Sequence, residues 1–94
     1  MGSRCVDSTQ EERGMVHSIE QVMQRIIRCF DEGDHEMANV IMKVELTHLL
    51  NHLTCADADT ERRISSVVGC SFVEYCDELK RRIRPLQKAL QNRV

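Results

Sequence analysis

Between Met15 and Phe30 the apolar residues fall at positions 15, 16, 19, 22, 23, 26, 27 and 30, and a backbone turning about 100° per residue gathers them on one side. A strand sends successive side chains to opposite faces and cannot collect such a set. The spacing predicts an amphipathic helix ending near Glu32-Gly33. Gly33 suits the left-handed position that closes a helix, and Asp34 offers a carboxylate to the free amides of the next one. So short a connection joins consecutive helices as a hairpin.

The second stretch, His35 to Thr54, is apolar on two sides. On a regular wheel Met37, Val40, Ile41 and Val44 share one side, while Met42, Leu46, Leu49 and Leu53 lie opposite, with Leu50 near them. Either the helix breaks at Val44-Glu45, or it stays continuous, touching its own domain with one face and something else with the other. After the polar connection Cys55 to Asp59, where Asp59 or Thr60 caps the next helix, a second stripe runs through Ile64, Val67, Val68, Phe72, Tyr75, Leu79 and Ile83. Gly69 lies within this stripe and admits a close helix crossing. Leu86 and Leu90 stay in phase beyond Pro85, which predicts a kinked continuation to about Asn92. No strand pattern or hairpin signal occurs.

These periods define the fold class as all-α, a small antiparallel bundle of three main helices, four or five if the second is split. At 94 residues the chain makes one domain, expected over residues 15–94 behind a flexible arm of residues 1–14. No apolar run is long enough to span a membrane, the first residues lack a secretory apolar region, and the five cysteines are odd in number with no C-x-x-C pair. The expectation is an intracellular protein, cytoplasmic or nuclear, whose cysteines are mostly small buried hydrophobes and which has no membrane partner.

Reactive constellations are scarce. There is no G-x-S-x-G elbow and no Gly-rich phosphate loop, so neither catalysis nor a cofactor is expected. His48, His52 and Cys55 stand at i, i+4 and i+7, a spacing that sets three zinc-type ligands along one helix line, with Cys29 or His35 as candidates for a fourth. The residues between the histidines are Leu49-Leu50-Asn51, which lack the glutamate of a zinc hydrolase. The ordinary reading is a half-exposed helix face ending in a cysteine, with no metal.

Charge is uneven along the chain. Leu79 to Val94 holds six basic residues and no acidic one, while the preceding part holds the other seven basic residues and all fifteen acidic ones. On the wheel Lys80, Arg81, Arg84 and Lys88 gather away from Ile83, Leu86 and Leu90. Such a helix either solvates its own end or recognises an acidic-hydrophobic peptide, its apolar residues making contact and its cations setting orientation. Duplex RNA held by the paired basic helices of a dimer is the alternative, less favoured because only 3% of residues are aromatic and offer a base-stacking surface.

The apolar surplus weighs more. Three helices of this length cover one face each, so an interface is expected around Ile26, Met42, Leu46, Leu49 and Leu53. The functional expectation is a non-catalytic interaction or oligomerisation module of a larger assembly, paired with itself as a homodimer or with another helical protein.

The segment Val44-Glu45-Leu46-Thr47-His48-Leu49-Leu50-Asn51-His52-Leu53, followed by Ile64 to Ile83, resembles the small helical domain at the N-terminus of the transcription elongation factor TFIIS and in the integrase-binding domain of LEDGF. The resemblance implies a chain turn at Val44-Glu45 and binding of short acidic-hydrophobic motifs of transcription regulators.

Overall fold

The computed structural model describes residues 9–91. Over these the chain is all-α, with no strand among the described residues: α1 (Gln10–Asp31), α2 (His35–Val40), a π-helical turn (Ile41–Leu46), α3 (Thr47–Thr54), α4 (Ala58–Val68) and α5 (Phe72–Gln91). Since α2, the π turn and α3 follow one another without a gap, they form a single rod. Four rods make the bundle.

Helix α1 begins at Gln10, so the expected arm over residues 1–14 is already helical from that point; residues 1–8 lie outside the described residues. Glu11 and Glu12 in its first turn favour this earlier start, because carboxylates are stabilised beside the free amides of a helix N-terminus. At the other end Gly33 adopts φ 78°. Its amide donates to the Phe30 carbonyl and the Asp34 amide to that of Cys29. Asp34 then accepts from the Met37 amide at 3.1 Å, which completes the hairpin read from the sequence.

The break expected at Val44-Glu45, and the chain turn implied there by the TFIIS-type resemblance, do not occur. A π-helical turn takes their place, its i→i+5 hydrogen bonds widening the coil without interrupting it. The Thr47 hydroxyl reinforces it, donating to the Met42 carbonyl at 3.0 Å. One continuous rod thereby buries Ala38, Ile41, Met42, Leu46 and Leu53. Met37, Val40 and Val44 stay outside.

The stripe read as one helix from Ile64 to Ile83 is two helices. Gly69 takes φ 78°, a conformation that costs other L residues energy. Behind it Ser71 and Glu74 form a capping box: the Ser71 hydroxyl accepts from the Glu74 amide at 3.1 Å and the Glu74 carboxylate accepts from the Ser71 amide at 3.2 Å. The Ser65 hydroxyl, donating to the Cys70 carbonyl at 2.6 Å, ties the corner together. A Cβ added at Gly69 would meet nothing within 4 Å, so no helix crosses there. At the start of α4 the capping residue is Asp57, which accepts from the Thr60 amide at 2.8 Å, rather than Asp59 or Thr60. Helix α5 runs through Pro85 to Gln91.

Ile19, Val22, Met23 and Ile26 of α1 meet the inner face of the second rod, Ile64 of α4, and Tyr75, Leu79 and Ile83 of α5 in one core. Ion pairs close its edges. Arg25 of α1 reaches Glu45 of the π turn at 2.7 Å, and Arg63 of α4 reaches Glu12 of α1 at 3.2 Å.

Candidate functional site

The residues expected at an oligomer interface belong to the chain's own core. Ile26, Met42, Leu46 and Leu53 are buried and Leu49 is half-buried, because the second rod turns the side carrying Met42, Leu46 and Leu53 inward. Left outside is the opposite side of α2 and the π turn. Met37, Val40 and Val44 are 47%, 52% and 62% exposed. Their i, i+3, i+7 spacing aligns them along about 10 Å of rod at a rise of ~1.5 Å per residue. Glu36 and Lys43, both exposed, sit at either end of this stripe.

The basic end of α5 divides in the same way. Ile83 is buried, and Leu86 and Leu90 are half-buried against the core, so the apolar contacts expected for a peptide are taken up internally. Leu90, with Met42, Lys43 and Gln87, lines a groove between the π turn and the end of α5. Lys80, Arg81, Arg84 and Lys88 are exposed. Arg81 bonds Glu78 at 3.2 Å. Lys80, Arg84 and Lys88 make no ion pair among the described residues and form a line at i, i+4, i+8.

Arg82 works differently, clamping Glu20 of α1 with two parallel hydrogen bonds of 2.8 and 2.7 Å. Those bonds hold the Glu20 carboxyl below its ordinary range against the opposing effect of burial, and the Arg82 charge adds to them. The pair spans α1 and α5. Nothing in the apolar periodicity marks it, since both residues read as solvated positions.

His48 and His52 meet edge to face with ring centroids 5.2 Å apart. Cys55 is exposed at the end of α3, while His35 packs its ring against Phe30 at 5.5 Å. Among the described residues no three His, Cys, Asp or Glu side chains stand close enough to hold a metal ion. Cys29, Cys70 and Cys76 are half-buried thiols. Burial pushes the Cys76 thiol up, away from the reactive thiolate, against a smaller opposite pull from Lys80. Cys55 alone of the described cysteines departs from the expected burial.

Tyr75 has no counterpart in the sequence reading beyond its place in the stripe. It is 8% exposed, and its hydroxyl is buried without a hydrogen-bond partner. Burial above all, then the nearby Glu20 charge, pushes its phenol from 10.0 up to about 12. Folding thus favours the neutral phenol. Its contribution is intact below pH 10 and is lost as pH rises from there through about 12. Tyr75 is the only tyrosine and there is no tryptophan, so alkaline titration of the phenolate absorbance reads this residue alone. A midpoint near 10 in the folded protein would contradict its enclosure.

No helix among the described residues is long and apolar enough to cross a membrane. The chain matches no family model, no curated protein and no solved structure.

Proposed function

We propose that this chain is a non-catalytic association module that pairs with a second copy of itself through the outer face of α2 and the π turn. The observation that carries this reading is the exposed stripe Met37, Val40 and Val44 on a rod whose opposite face is already filled by the core. Two valines and an adaptable methionine in line make a small apolar seam of the kind that helices bury against one another. Opposite charges at its two ends, Glu36 and Lys43, suit a two-fold antiparallel arrangement, in which each acid meets the other copy's base. An acidic-hydrophobic peptide or nucleic acid at the basic end of α5 is supported less well. Ile83, Leu86 and Leu90 are occupied by the core, which leaves only the Lys80, Arg84 and Lys88 cations for such a ligand.

Sedimentation equilibrium across a concentration series tests the pairing. The unmodified chain is expected to dimerise, and a Val40→Glu/Val44→Glu double variant to remain monomeric at concentrations where the parent is paired. Both positions are exposed, so the variant's unfolding free energy should change by no more than about 0.5 kcal/mol. A parent chain that stays monomeric at high micromolar concentration, or a double variant that pairs as well as the parent, defeats the reading.

A further inference from the structure

A cleft of about 630 Å³ opens between α1 and the corner joining α4 to α5. Four carboxylates line it, Glu20 from one wall and Glu74, Asp77 and Glu78 from the other, against the single lining cation Arg81. Most of this charge is not balanced internally. Arg82 compensates Glu20 and Arg81 compensates Glu78. Glu74 accepts only from the Ser71 amide, and Asp77 makes no ion pair among the described residues. Two negative charges are left over, on residues one helical turn apart.

An acidic cluster on a helix is by itself ordinary surface, but this one adjoins a second feature. Tyr75 lines the same cleft, more than nine-tenths buried, with a hydroxyl that no group satisfies. An unsatisfied buried polar group costs roughly 1–3 kcal/mol, a penalty that a ligand N–H donated to the phenol oxygen removes. The ring also presents a π face, which attracts cations. Val16 and Val68 supply apolar wall between the charged groups. Carboxylates on two walls, a phenol oxygen, an aromatic face and intervening aliphatic surface together match a ligand that alternates ammonium groups with methylenes.

We propose that this cleft binds a short aliphatic diamine or oligoamine, with one ammonium against Glu74 and Asp77, another against Glu20 and the Tyr75 hydroxyl, and the methylenes along Val16 and Val68. A free amine is favoured over a basic peptide because the carboxylates face the cleft from both walls, an enclosure that suits a slender chain carrying charges along its length.

The single tyrosine makes the test direct. Diaminobutane and spermidine are titrated into the full chain at constant ionic strength, following Tyr75 emission and the heat of binding, with butylamine and an oligolysine peptide as comparisons. The diamine is expected to give a saturable change, with butylamine about five- to tenfold weaker for loss of one partly desolvated ion pair. A Glu74→Gln/Asp77→Asn variant should lose the response while its helical circular dichroism stays unchanged, since both residues are exposed and Gln preserves the capping geometry. Absence of saturation, equal affinity for butylamine, or unchanged binding by the double variant overturns the proposal. Tighter binding of oligolysine than of either free amine overturns the assignment to a free oligoamine.

Discussion

An Ile64→Ala protein should unfold at a markedly lower urea concentration than its parent, with a loss of about 2–5 kcal/mol, the range for deleting an aliphatic side chain from a closed core. Ile64 is fully enclosed and is the one buried residue of α4. The rest of that helix is attached by polar contacts at its margins: the Arg63–Glu12 pair, the Asp57 cap and the Ser65 bond to the Cys70 carbonyl. Exposed contacts of that kind contribute little each, so they cannot hold α4 in place once its apolar anchor is removed. A domain of this size has about 5–15 kcal/mol of stability in total; the substitution takes a large part of it. Ile64→Val, which trims one methyl, should cost about 0.5–1.5 kcal/mol, and Val73→Ala, at a site 67% exposed, almost nothing. Urea unfolding followed by circular dichroism ranks the three. A loss below about 0.5 kcal/mol for Ile64→Ala, the scatter expected of surface changes, would show that α4 is held by other means.

How far the sequence reveals this structure depends on the kind of signal. The α1 stripe, the Gly33 closure and the Asp34 cap are local, and each is legible because one residue type satisfies one stereochemical need. The second rod is not legible in that way. A wheel drawn at a fixed angle assumes a regular coil, whereas the π turn at Ile41–Leu46 changes the angle midway. Periodicity also shows that two sides are apolar without saying which one α1 will cover. Both sides carry comparable residues, and only the packing of α1, α4 and α5 decides that Met42 and Leu46 enter the core while Val40 and Val44 do not.

The α4–α5 corner is a different case, since Gly69 and the Ser71-x-x-Glu74 capping box are both present in the sequence. Their signal is masked because Ile64, Val68, Phe72, Tyr75 and Leu79 keep a helical phase across the corner. The unsatisfied Tyr75 hydroxyl and the Glu20–Arg82 clamp, which joins residues 62 positions apart, depend on tertiary placement and have no local signature. The candidate surfaces follow the same division. The cations of α5 are readable as a run, but the seam on the second rod emerges only after the core has claimed its share of apolar residues.

The second large effect concerns Glu12, a carboxylate 6% exposed whose one partner is the Arg63 guanidinium at 3.2 Å. Its other oxygen, Oε1, is buried with no hydrogen bond, so the group already carries an unpaid desolvation cost. Replacing Arg63 with Met keeps the aliphatic stem over α1 but removes the charge, stranding the carboxylate. Breaking a fully buried pair costs roughly 3–5 kcal/mol; the Arg63 side chain is 36% exposed, and solvent screening reduces the expected loss to about 1–3 kcal/mol. Removing both charges should behave differently. A Glu12→Met/Arg63→Met protein takes the stranded carboxylate away and lets two unbranched side chains pack between α1 and α4, so it should recover most of the lost stability and match or exceed the parent. Comparing the two single variants, the double variant and the parent by urea unfolding at neutral pH isolates the coupling between the residues. If the double variant is as unstable as the two single changes added together, Glu12 and Arg63 act independently, and the pair does not join α1 to α4.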